Sequence, residues 1–109
     1  MYAFAEQAGF QRQFNKGEMI MVSILIQHKV RDFAEWKKVF DSAIGLRKSN
    51  GEISSQVFHD TSDPNSITTI TKWASLENAQ KFAQSPDLKA AMEKGGVTGA
   101  PSVSFMNEA

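Results

Sequence analysis

The stretch MVSILIQHKVRDFAEWKKVF, residues 21–40, changes its period halfway along. Up to His28 the side chains alternate. Val22, Ile24, Ile26 and His28 fall on one side, with Ser23, Leu25 and Gln27 on the other, so residues 20–28 read as a strand. At Asp32 the period becomes helical. Asp32 followed by Glu35 resembles a capping box, and Phe33, Trp36, Phe40, Ala43 and Ile44 form an apolar stripe with Arg47 one turn further on. The helix is expected to run from Asp32 to about Lys48, with Gly51 as its stop.

Working outward, ISSQVFHD (residues 53–60) reads as a second strand with Ile53, Ser55, Val57 and His59 on one face. TSDPNS supplies turn chemistry, and the β-branched ITTITKW (residues 67–73) is the third strand. Ser75 caps a second helix carrying Leu76, Ala79, Phe82 and Ala83. Ser85-Pro86 is a fresh start signal, so that helix should break there and resume through Leu88, Ala91 and Met92. Gly95-Gly96 ends it, and residues 102–107 after Pro101 form the last strand. The order β-α-β-β-α-β with two right-handed crossovers predicts a ferredoxin-like α+β sandwich, with strands antiparallel as 4-1-3-2 and both helices on one face.

Residues 1–19 read as an appendage to a domain spanning 20–109. Phe4, Ala8 and Phe14 give a weak apolar stripe that Gly9 and Gly17 interrupt. The regular pattern begins only at Met19 to Met21, which makes either methionine an alternative start.

Composition narrows the function classes. Twelve Lys plus Arg balance twelve Asp plus Glu, so nothing draws the chain toward nucleic acid or anionic lipid. A net charge of zero favours self-association. With no cysteine, disulfides, thiolate catalysis, zinc–thiolate sites and iron–sulfur clusters are excluded. The longest apolar run falls far short of the ~20 residues that span a bilayer, and no secretory layout is present, so a cytoplasmic setting is expected.

Two helices cover one face of a four-stranded sheet. The covered face is expected to carry Val22, Ile24, Ile26, Ile53, Val57, Val103 and Phe105. The opposite face then shows Leu25, Phe58, Ile70 and Met106 among polar residues, an apolar patch suited to a homodimer formed sheet to sheet.

HKVRDFAEWKKVFD (28–41) and DPNSITTITKWASLENAQKFAQSPDLKAAMEKGGV (63–97), with Pro101, resemble the dimeric α+β-barrel proteins, within them the small group related to the antibiotic-biosynthesis monooxygenases. The resemblance covers about residues 20–107 and is most specific in the strand-turn-strand-W-x-S-x-E-x-A stretch. It implies paired sheets forming an eight-stranded barrel, with a ligand pocket between sheet and helices of each subunit. It also implies a range of activities, from cofactor-free oxygenation of aromatic rings to signal-molecule turnover and haem degradation.

The candidate chemistry is sparse. His28 and His59, the two histidines, end parallel strands with a third strand between them, roughly 10 Å apart, so no shared metal site and no cofactor is expected. His28 reads either as a general base at the pocket mouth or as a strand-end histidine bonded to backbone or to Asp32. His59, beside Asp60, has the same two readings. Trp36 and Phe40 are either pocket walls or core. Arg47 is either a cation at the helix C-terminus or an inward guanidinium for a carboxylate or enolate oxygen.

Two functions follow. In the first, a small aromatic or carbonyl compound binds between helix 1 and the sheet, with cofactor-independent oxygenase-like activity. In the second, the chain is a non-enzymatic dimeric module with a filled core. A cavity lined by His28 supports the first, and a closed core with His28 bonded only to backbone supports the second.

Overall fold

The computed structural model describes residues 21–109, and the 1–19 appendage lies outside them. The elements are β1 (Val22–Val30), α1 (Phe33–Ser42), α2 (Ile44–Ser49), β2 (Glu52–His59), β3 (Ser66–Trp73), α3 (Leu76–Ala83), α4 (Pro86–Lys94) and β4 (Val97–Met106). One antiparallel sheet runs β2-β3-β1-β4, the order expected from the two crossovers. This is the ferredoxin-like α+β fold.

The alternation in β1 is borne out. Val22, Ile24, Ile26, His28 and Val30 are buried beneath the helices. Through the β1–β3 register these residues stand beside Trp73, Thr71, Thr69 and Ile67, which are buried as well. Two apolar clusters result. Val22, Ile24, Ile26, Trp73, Ala79 and Phe82 fill one end, and Val30, Trp36 and Ile67 fill the other.

Asp32 caps α1 by accepting the Glu35 N–H at 3.0 Å. The single helix expected to Lys48 is divided at Ala43. Ser42 Oγ donates back to the Val39 carbonyl at 2.9 Å, a side-chain bond that bends helices. The break expected at Ser85-Pro86 is present, with Ser85 Oγ accepting the Leu88 N–H at 3.1 Å. Gly51, at φ +102°, ends α2, and any Cβ there would also meet the Asn78 amide.

Three expectations are corrected. Ile53 does not share a face with Ser55 and Val57, because a bulge between Glu52 and Ser54 turns it outward to 39 % exposure. Glu52 faces inward in its place. Val103 and Phe105 do pair with Ile26 and Ile24 as a covered face requires, yet they remain 40 % and 42 % exposed. The helices pack over the two central strands, and β4 is an edge. The last strand begins at Val97 rather than at 102, and Pro101 lies within it at an irregularity, where a strand tolerates a residue without an N–H.

Candidate functional site

His28 is placed by two features of the sheet. Its parity points it under the helices, with Ile67 of β3 on one side. On the other side β4 gives it no partner, because the β1–β4 register shifts between Gln27 and Lys29. Bulges of this kind are common beside functional sites, where they re-aim side chains or interrupt pairing. The His28 side chain is buried. Among the described residues neither ring nitrogen has a hydrogen-bond partner. Burial holds its pKa below the ordinary histidine value, so the ring is neutral at pH 7. A neutral imidazole offers one donor and one acceptor.

The α1 stripe supplies the wall. Trp36 lies 5.5 Å from His28 centroid to centroid, and Phe40 stacks on Trp36 at 5.0 Å and 24°. Trp36 is backed by Gly95, where a Cβ would come within 3.1 Å of its ring. Below Phe40 sits Arg47, its guanidinium carbon 3.8 Å from the ring centroid, a cation–π contact. Arg47 Nε donates to Glu52 Oε2 at 2.7 Å and Nη1 donates to the Phe40 carbonyl. With side chains 5 % and 1 % exposed, the two charges form a buried ion pair.

A cavity of about 60 Å³ lies between α1, α4 and the sheet. His28, Trp36, Phe40 and Arg47 all line it, together with Thr69, Thr71 and an apolar shell that includes Ile24, Leu88 and Met92. His59 does not. It lies on the same face as His28, both flanking Ile67, but it is exposed at the strand end. Its ring packs edge-on against Phe33 at 5.2 Å, with Nδ1 3.0 Å from the Asp60 carbonyl. Among the described residues no group of His, Asp and Glu is arranged to hold a metal ion. No helix there is long and apolar enough to cross a membrane.

Two residues that shape the site escape sequence reasoning. Glu52 is a surface residue by type, and only the bulge after it brings it to Arg47. Asn65, read from sequence as a turn residue, fastens the start of α1. Its side-chain oxygen accepts the Phe33 N–H at 2.8 Å, and its carbonyl accepts the Val30 N–H at 2.9 Å. The Asp-Pro-Asn sequence signals the turn but not where the turn docks.

The cavity sets one neutral imidazole, with one donor and one acceptor, beside two aromatic rings. Solved structures share the fold. One similar structure is a Bordetella bronchiseptica protein grouped with the antibiotic biosynthesis monooxygenases, 17 % identical, covering 82 % of this chain and 97 % of that one at TM-score 0.71. SnoaB, a cofactor-independent oxygenase from Streptomyces nogalater, is 14 % identical over 82 % of this chain and 93 % of its own, at TM-score 0.68. A protein from Caulobacter crescentus CB15, grouped with the same monooxygenases, is 21 % identical over 84 % and 92 % at TM-score 0.67. At these identities the likeness shows the fold alone. No curated protein matches the chain. The antibiotic biosynthesis monooxygenase family profile matches residues 19–94, most of the chain, and the chain belongs to that family.

Proposed function

We propose that the chain binds a small aromatic or carbonyl compound between α1 and the sheet and oxygenates it without a cofactor, with His28 as the catalytic base. The observation that carries this reading is the buried His28 ring, on the cavity and unbonded at both nitrogens. Leaving a buried polar group unsatisfied costs about 1–3 kcal/mol, a cost that a ligand bonded to the ring would offset. A core histidine kept only for packing would be expected to bond backbone.

In the proposed reaction, neutral His28 accepts the proton of a phenolic or enolic hydroxyl. The electron-rich anion reduces dioxygen by one electron, and the radical pair joins to form a C–O bond as a hydroperoxide. The peroxide takes the proton back from His28 to become that hydroperoxide. His28 then removes the hydrogen of the carbon that bears it, and the O–O bond breaks as the carbonyl forms. The departing hydroxide takes this second proton from His28 and leaves as water. For a phenol with a free para position the reaction balances: one phenol and one dioxygen give one para-benzoquinone and one water. Trp36 and Phe40 hold the ring, and the apolar shell keeps water from the anion. Family membership, and the cofactor-independent chemistry of SnoaB, support this reaction class.

The same proposal includes a homodimer through the open sheet face, supported by Phe58, which is 48 % exposed on the face that Leu25 and Ile70 share. Oxygen uptake over a panel of phenols, with wild type and His28→Ala compared, tests the activity. A general base contributes about 10²–10⁴ in rate, and a variant that keeps the wild-type rate would remove His28 from the mechanism.

A further inference from the structure

We infer that the cavity selects uncharged single-ring hydroxyarenes against carboxylates, and that Glu52 sets this selectivity by occupying Arg47. This selectivity rests on the proposed binding site and adds what that site excludes.

The walls carry a balanced charge. Among the described residues the cavity is lined by one permanent cation, Arg47. That guanidinium already donates to Glu52 at 2.7 Å and to the Phe40 carbonyl, and its face rests on the Phe40 ring. Glu52 is buried as Arg47 is, and Arg47 is its ion-pair partner. The remaining titratable wall, His28, is an unbonded imidazole in an apolar setting. The charge that Arg47 brings to the lining is therefore balanced by Glu52, a partner outside it. A carboxylate entering it would lose its hydration and find a guanidinium whose charge is already balanced, leaving two carboxylates around one cation. A phenol enters without that penalty, because its hydroxyl is neutral at pH 7 and can donate to one imidazole nitrogen.

Size adds a second limit. A cavity of about 150 Å³ lined by apolar side chains admits benzene, whereas this one measures about 60 Å³. Even one ring needs the walls to yield. Leu88 and Met92, both only partly buried, can do so, Met being the more adaptable. A fused second ring would press on β1, whose Ile24 is 1 % exposed. One ring is the ceiling.

The test uses three probes at pH 7.5: phenol, benzoate and 1-naphthol. Binding is read from the His28 ring resonances by NMR, with His59→Ala distinguishing the two histidines. Wild type should show saturable shifts with phenol, while benzoate and 1-naphthol need at least tenfold higher concentration. Glu52→Gln, which frees the guanidinium, should bring benzoate to within about threefold of phenol. The paired change Arg47→Met with Glu52→Leu removes both charges, keeps a packed core, and should retain the preference for phenol. Equal binding of phenol and benzoate by wild type would overturn the inference while leaving the binding site intact. So would an unchanged preference in folded Glu52→Gln, or a preference lost in the double variant. If none of the probes shifts His28 in wild type, the proposed site itself fails and the selectivity with it. Should Glu52→Gln not fold, the wild-type ratio and the double variant decide.

Discussion

His28 titrates against its surroundings. Its folded-state pKa is lowered by burial, so between that value and the unfolded histidine value of about 6.5 the unfolded chain binds more protons. Stability contributed by neutral His28 is full above the unfolded value and declines as pH falls through the window below it. Chemical denaturation at pH 7.5 and 5.5 should show this loss, and His28→Gln should flatten it. The buried ion pair behaves differently. Arg47→Ala or Glu52→Ala strands one charge in the core and should cost about 3–5 kcal/mol in urea unfolding, whereas replacing both with apolar residues should cost far less. Much of this site was legible at the level of single residues. The parity of His28 with Val22, Ile24 and Ile26 is written in β1, and the Trp36–Phe40 spacing is written in α1. The lack of a β4 partner beside His28 was not legible, because it depends on a register shift against the last strand of the chain. Nor was the partner of Arg47. Of the two readings for that residue, the inward one fits its position, but the anion it meets belongs to its own chain.

At the scale of elements, the turn between β2 and β3 holds the aromatic wall in place. Asn65 bonds the backbone on both sides of the β1–α1 junction, and Asp63 accepts the Asn65 N–H at 3.0 Å and pairs with Lys29 at 3.3 Å. Asn65→Ala removes the cap on Phe33 and should cost about 1–3 kcal/mol. Because the freed segment leads directly to Trp36, the change should also raise the hydrogen-exchange rate of the first turn of α1. Gly51→Ala meets both a positive φ and the Asn78 side chain, and a loss above about 1 kcal/mol is expected, read as a lower denaturation midpoint. Element types and order were legible, since period and capping residues are local signals. Bulges were missed at Glu52 and at Pro101 because alternation alone cannot show where a strand takes on an extra residue.

For the whole molecule, the open face of the sheet governs assembly. Phe58→Lys places a charge in the proposed dimer face and should convert a dimer to a monomer in light scattering at micromolar concentration. A wild-type chain that is already monomeric would end that proposal. Val103 and Phe105, also exposed, lie on the opposite face of the sheet, on β4.

The irregularity in β4 has one more property. Gln27 pairs with Ser102 and Lys29 with Thr98, so two steps along β1 are matched by four along β4. The surplus is two, an even number. Val97 therefore returns to the same side of the sheet as Val103 and Phe105, and the strand re-enters the ladder in phase. A chain lacking Gly99 and Ala100 would keep every later side chain on its present face and close the gap by bringing Pro101 alongside His28. The phase of the sheet is thus independent of this irregularity: the two surplus residues change which residue stands beside His28 and leave the face of every later side chain as it is.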